Sequence, residues 1–473
     1  MPVSQVSRRK RLGAWYTPPA LVDAVVAALD LRSVLDACGS APVRVLDPAC
    51  GDGRFLFAVR AAVERLGGRV ELTGVDIDPG APVFATSGGR WIWGDARSMP
   101  ELALASTPRP TWSAAGPFDV VVGNPPFLNQ LASATTRGGR SHLGGGPYAD
   151  TAAEFLALAV TLLRPGGRLG MVLPQPLLSA RDGASIRAEV DRRAALRWVW
   201  WSATPVFDAA VHTWAGVWEL GGAPAPVERS VGPTFVPART LPRPPAASPA
   251  PTIPAAVVLL PTTSTTASLP STAKSPPLSP LPSTTFSTAS WSWLISGVDG
   301  PDIDVDVDID GRGPRLGSIA AFLVDFRDSY YGLVGAVGDD VDGPPLITSG
   351  LIEPGRCLWG ERPARFAKQR HTAPRVDVAR LTPAMQRWAA QRLVPKILIA
   401  NQTRVIEAVH DPGGMWLPSV PVLTCTSDDP ERVLAVLGSD PAVRWVHRQA
   451  AGSGLGAHTV RLSPSLLASI PLR

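Results

Sequence analysis

Four short aliphatic runs punctuate the first part of the chain. They are residues 43–47 (Val-Arg-Val-Leu-Asp), 70–78 (Val-Glu-Leu-Thr-Gly-Val-Asp-Ile-Asp), 91–95 (Trp-Ile-Trp-Gly-Asp) and 119–123 (Asp-Val-Val-Val-Gly). Each closes on a glycine or an acid, the pattern of strands in a parallel sheet. Residues 20–29, 54–66 and 152–163 read as the intervening helices. A turn at 164–167 then leads to a fifth strand at 168–173, and residues 198–201 and 214–220 give further strands. The pattern breaks at 221–290, which holds 16 of the 50 prolines, many Ser and Thr, and one acid, Glu228. That composition predicts a long, largely disordered linker. At 302–310 acids alternate with aliphatics, as in a half-buried strand with a solvated acidic face, or a cation site. Order resumes near 315, with strand-rich stretches at 396–409 and 415–425 and a turn at 411–414.

Composition narrows the classes. The chain has 473 residues, enough for two or three domains, and 45% hydrophobic content. No run reaches the ~18 uncharged apolar residues of a membrane span. Residues 1–11 are basic but lead into no apolar segment, so no signal peptide is expected. Cys38, Cys50, Cys357 and Cys425 show no metal-type spacing and no disulfide framework. These features point to a cytoplasmic protein. Net charge is +5, compatible with a polyanionic partner. None of Lys10, Lys274, Lys368 and Lys396 follows a glycine or lies two residues after an acid. A phosphate-binding Gly-Lys loop and the acid-x-Lys nuclease element are therefore absent.

The chemistry concentrates in Gly123-Asn124-Pro125-Pro126-Phe127. The prolines end the preceding strand because they lack an N–H for the ladder. The result is a rigid loop at the carboxyl end of a strand, where open α/β sheets bind ligands. The Asn124 side-chain carbonyl and the Pro125 backbone carbonyl are two fixed acceptors, suited to a planar exocyclic amine. Accepting both N–H groups localises a lone pair otherwise spread into the ring, without a strong base. Phe127 offers a stacking face, and Phe207 offers a second wall or a core residue. A structural turn with a capping Asn is the bland alternative.

Pro48-Ala49-Cys50-Gly51-Asp52-Gly53 makes a strand–glycine loop–helix unit. It is not the dinucleotide fingerprint, since the third glycine position is Leu56. Asp76 can accept both hydroxyls of a ribose, and Asp95 can accept from an adenine amine. Thr17, before Pro18 and Pro19, reads as a helix N-cap, and that N-terminus can also hold an anion. Residues 128–150, rich in Gly, Ser and Thr, form a surface loop or a lid. Residues 356–404 carry eleven Lys/Arg against two acids, interspersed with aromatics. Arg365, Lys368 and Arg370 lie in this region as candidate nucleic-acid contacts; a solvated helix face is the alternative.

Taken in order, these motifs resemble the amino-group, S-adenosylmethionine-dependent DNA methyltransferases of the adenine-N6 type. They are Gly-Ala-Trp-Tyr-Thr-Pro (13–18), Asp-Pro-Ala-Cys-Gly-Asp-Gly-Arg-Phe-Leu (47–56), Gly-Val-Asp-Ile-Asp-Pro (74–79), Gly-Asp-Ala (94–96), Asn-Pro-Pro-Phe (124–127) and Val-Phe-Asp-Ala-Ala-Val-His-Thr (206–213). This is the gamma order, with the target recognition region last. The resemblance covers roughly residues 11–220, with weaker echoes at 346–350, 396–400 and 452–472. It implies an α/β fold: a Rossmann-like class I methyltransferase domain with a mostly parallel seven-stranded sheet, plus a C-terminal α+β target recognition domain. The expected boundaries are 1–220, a linker at 221–295, and 296–473.

The resemblance also implies that Thr17, Asp47, Ala49 and Gly51 surround the methionine part of S-adenosyl-L-methionine. Asp76 would hold its ribose and Asp95 its adenine amine. Asn124, Pro125, Pro126 and Phe127 would hold a target adenine flipped from double-stranded DNA, with Phe207 as the outer wall. Phe127 stands where the family commonly has Tyr. A separately encoded restriction nuclease or defence module is a conceivable partner. Release-factor glutamine and ribosomal guanine-N2 methyltransferases carry similar loops, so an RNA or protein-amide substrate stays open. So does a DNA-binding modification subunit inactive without a partner.

Overall fold

The computed structural model describes residues 16–98, 118–127, 145–146, 149–204, 206–207, 212–241, 290–295, 313–325, 327–454 and 459–472. The expected basic cluster at 7–11, most of the 128–150 loop and the 302–310 strand lie outside them.

The N-terminal domain is built on one sheet. Its strands are β1 (Val43–Asp47), β2 (Val70–Asp76), β3 (Arg90–Trp93), β4 (Phe118–Gly123), β5 (Leu163–Pro174), β6 (Ala194–Trp201), β7 (Thr213–Leu220), β8 (Val227–Val231) and β9 (Val236–Leu241). Their spatial order is β3-β2-β1-β4-β5-β7-β6-β8-β9. Strands β3 to β5 pair in parallel, and β7 runs antiparallel between β5 and β6. The expected mostly parallel α/β sheet is present. The turn expected at 164–167 lies within the longer β5.

Helices cover both faces. α1 (Pro19–Ala28), α2 (Leu31–Cys38) and α3 (Arg54–Arg65) bury Val25, Val34 and Val59 against Val43, Val45 and Val120. On the other face α4 (Thr151–Leu162) buries every residue but Glu154, and α5 (Ala184–Arg193) packs beside it. Between β1 and β4 the chain reverses its direction of winding. Such a switch point opens a crevice at the strand carboxyl ends, and Asp47 and Asn124 stand there.

Two expectations need correction. The linker does not begin at 221: β8 pairs in parallel with β6, β9 pairs antiparallel with β8, and the sheet has nine strands rather than seven. Pro237 fits because β9 is an edge strand, where a missing N–H is tolerated. Nor does the linker run undivided to 295. Trp291 is 3% exposed and stacks against Trp214 and Trp218 at 5.7 and 5.9 Å. Its indole N–H donates to Asp191 at 2.9 Å, and its backbone N–H to Leu178 O at 2.7 Å. Burial of so much aromatic surface outweighs a locally polar sequence. The neighbouring Ser292 Oγ donates to Ala451 O at 2.9 Å, which ties this segment to the C-terminal domain.

The C-terminal domain holds a four-stranded antiparallel sheet of β10 (Ala321–Val324), β11 (Lys396–Ile399), β12 (Ala408–Asp411) and β13 (Leu423–Thr426), in the order β10-β13-β11-β12. The helices α6 (Arg327–Leu333) and α7 (Pro383–Arg392) precede β11 in the chain. α8 (Pro430–Leu437), α9 (Asp440–Ala450) and α10 (Pro464–Ala468) follow the sheet and contribute to its apolar cluster. Two-stranded ribbons complete an α+β unit. Among the described residues no helix is long and apolar enough to cross a membrane.

Candidate active site at the switch point

The glycine loop after β1 is pinned by backbone bonds. Cys50 N donates to Val75 O at 2.9 Å, and Gly51 N to the Asp76 carboxylate at 2.8 Å. The other Asp76 oxygen accepts from Asp78 N at 2.8 Å. Burial pushes the Asp76 carboxyl above its ordinary range, against these two hydrogen bonds. Gly51 at φ +54° and Gly53 at φ +79° need the left-handed backbone that glycine adopts freely. A Cβ on Gly53 would lie 2.7 Å from the Phe57 ring.

Asp47, at the end of β1, is 2% exposed and accepts from Ala49 N at 3.0 Å. Burial raises its carboxyl to about 8, aided by the nearby Asp76 and Asp52 and opposed by the Ala49 hydrogen bond. A Cβ on Gly123 would come within 2.7 Å of Asp47 Oδ1. Asp47, Ala49, Gly51, Asp76, Gly123 and Asn124 thus meet at one crevice. Asn124 and Pro126 are half-buried and Pro125 is buried. Phe127 touches both apolar clusters, and Phe207 leans on the one that contains Val122 and Val45.

Thr17 is 2% exposed, but the N-cap of α1 is Pro18, without a side-chain cap bond. The role expected for the Thr17 side chain as a cap is therefore corrected. Its backbone carbonyl instead accepts from Arg54. Arg54 lies over the Tyr16 ring at 5.2 Å, and its Nε bonds Asp52 at 2.9 Å. The Tyr16 ring in turn sits 3.3 Å from the Cβ position of Gly51. The Asp52–Arg54 clamp was not foreseen from sequence, although the two residues are only two apart in the loop.

Asp95 follows β3, and its carboxylate is held by Arg97 at 2.7 and 3.0 Å. Arg97 also reaches Glu154 of α4 at 2.5 Å. Asp95 is therefore already oriented by a cation that sequence reasoning missed. Arg365, Lys368 and Arg370 are not at this crevice. They lie exposed on a C-terminal ribbon, where residues 364–366 pair with 369–371.

Residues 4–210 match the family model described as N-6 DNA Methylase. Over these residues, somewhat under half of the chain, the protein is similar to the N-6 DNA methylases. S-adenosyl-L-methionine is the cofactor of this methylase domain. The buried acids suit that group: Asp47 and Asp76 have only backbone N–H donors among the described residues, which leaves their carboxyl groups without a cationic side-chain partner.

The Type II methyltransferase M.BanIII of Aneurinibacillus aneurinilyticus is 28% identical over 200 residues, 38% of this chain and 33% of that protein. A release factor glutamine methyltransferase of Rhodospirillum rubrum is 31% identical over 163 residues, 33% of this chain and 45% of that protein. The chain thus spans less than half the length of these curated relatives. Among solved structures, the Type IIL restriction-modification enzyme MmeI in complex with DNA has a TM-score of 0.52 at 12% identity, covering 99% of this chain and 69% of that one. That likeness concerns the fold of the whole chain.

Proposed function

We propose that the chain transfers a methyl group from S-adenosyl-L-methionine to the N6 amine of adenine in a specific sequence of double-stranded DNA. The observation that carries this reading is the junction of the Asp47–Gly51–Asp76 loop with Asn124-Pro125-Pro126-Phe127 at one switch point. When bound, the cofactor supplies an electrophilic methyl group. Asp47, Ala49, Gly51 and the carbonyl side of Thr17 surround its methionine part, Asp76 its ribose and Asp95 its adenine. Asn124 Oδ1 and Pro125 O accept the two N–H groups of the target amine and hold its lone pair toward the crevice. Phe127 and Phe207 stack on the base, which must leave the duplex because its amine is unreachable in the stack. Catalysis here is positioning and electrostatics, with no general base of raised strength.

The domains in this reading are 1–241 for catalysis, a connection through 242–289, and 313–472 for target recognition. Arg365, Lys368 and Arg370 contact the DNA, and a separately encoded restriction nuclease is a fitting partner. Methyl transfer to a protein glutamine amide is the second reading, favoured by the release-factor relative. The basic ribbon after the catalytic domain favours DNA.

The test is purified full-length chain with labelled cofactor, offered duplex DNA, RNA and release-factor protein. Label in adenine N6 of DNA is expected, and Asn124→Ala is expected to abolish transfer while cofactor binding persists. Label only in RNA or protein, or undiminished turnover in the variant, contradicts the reading.

A further inference from the structure

Two adjoining hollows open on the C-terminal domain, of about 440 and 600 Å³. They share Tyr330, Val420 and Pro421 and so form one cleft. Arg365 lines the first hollow; Asn401 and Arg461 line the second. Neither arginine pairs with a carboxylate among the described residues. Asn401 is 4% exposed, and its Nδ2 donates to Leu462 O at 2.9 Å. Its Oδ1 is buried with no hydrogen-bond partner among the described residues. An orphaned buried acceptor is costly and asks for an explanation. The Nδ2 bond to a carbonyl fixes which end of the amide remains available, and it is the acceptor end.

The ribbon that carries Arg365 is anchored at its turn. This ribbon turns at Ala367 and Lys368, and the Tyr330 hydroxyl accepts from Ala367 N at 3.1 Å. The Tyr330 ring lies 4.8 Å from Phe366. Arg365 and Arg370 stand directly opposite across the ribbon. Like charges so placed repel, an arrangement that a polyanion relieves. A two-stranded ribbon also has the dimensions of the DNA major groove. Lys368 and Arg370 do not line the cleft.

We propose that this cleft reads base edges, resting on the DNA reading above. Arg365 donates to guanine O6 and N7, and Asn401 Oδ1 accepts from the exocyclic amine of adenine or cytosine. Lys368 and Arg370 take phosphates, which position the duplex without reading it. The recognised sequence therefore contains a guanine whose identity depends on Arg365.

The experiment selects bound duplexes from a randomised pool with purified full-length chain and cofactor, comparing wild type with Arg365→Ala, Asn401→Ala and Lys368→Ala. Arg365→Ala and Asn401→Ala should each lose roughly tenfold or more of the discrimination at one position of the motif. Lys368→Ala should keep the motif and lower binding evenly, with a smaller salt dependence. An unchanged motif in Arg365→Ala overturns this inference alone, and that exposed residue decides the matter even if the Asn401 variant fails to fold. A wild-type chain that enriches no motif overturns the DNA reading, and this inference with it.

Discussion

Asp47 Oδ1 lies 2.7 Å from the point where a Cβ on Gly123 would stand. The end of β1 and the end of β4 therefore meet through a carboxyl group and a missing side chain. A methyl group there must push Asp47 or tilt the strand end that presents Asn124. Gly123→Ala should lower the methyl-transfer rate by the order of 100-fold, since a displacement near 1 Å in a reacting geometry costs about that much. Single-turnover kinetics measure this. A rate equal to that of wild type would show that the contact is slack.

The Asp47 carboxyl, pushed up to about 8 from an ordinary 3.8 by burial, makes stability depend on pH. Between those values the folded chain holds a proton that the unfolded chain has released. The unliganded protein should therefore lose stability as pH rises from about 4 to 8, and change little on this account above 8. A cationic cofactor pairs with the ionised carboxylate, so its affinity should rise from pH 6 to 9. Thermal midpoints without cofactor and calorimetric affinities across that range test both statements. An affinity independent of pH would remove Asp47 from the cofactor's surroundings.

Arg54 fastens Tyr16 and Thr17 over the glycine loop through the Thr17 carbonyl and the Tyr16 ring. Arg54→Ala should raise the KM for cofactor roughly tenfold, the scale of a charge-assisted hydrogen bond, with kcat nearly unchanged. Arg54→Lys should recover only part, because a lysine cannot reproduce the planar fork. A fall in kcat at constant KM would place Arg54 elsewhere in the cycle.

Trp291 fills a buried slot against Trp214 and Trp218 and satisfies Asp191, whose carboxyl burial raises to about 6. Trp291→Ala should cost about 3–5 kcal/mol of stability, and Trp291→Phe less. Denaturant unfolding measures both. An unchanged midpoint would mean that this segment does not fasten the two domains.

Much of the catalytic domain was legible because its strands end abruptly. The Val120–Val122 run stops at Gly123 and two prolines, Asp47 closes its strand at the sheet's switch point, and Asp76 closes the strand beside it. The rest was obscured where tertiary packing overrides local composition. Val227–Val231 and Val236–Leu241 sit in a proline-rich stretch, yet β6 offers an edge on which the first pairs, and the second pairs on the first. Trp291 lies among serines, and only the distant Trp214, Trp218 and Asp191 explain its burial. Arg97 stands only two residues after Asp95, yet its grip on that carboxylate went unread, and Glu154 joins them only through the fold. The recognition cleft assembles Tyr330 from a helix, Arg365 from a ribbon and Asn401 from the turn after β11, which no local pattern reveals.

The most direct test of the central claim is long-read sequencing of DNA from cells with and without the gene for this chain, scored for N6-methyladenine. The account predicts one sequence motif methylated only when the gene is present, and lost with Asn124→Ala. Identical adenine methylation in all three strains, with the protein expressed and folded, would contradict it.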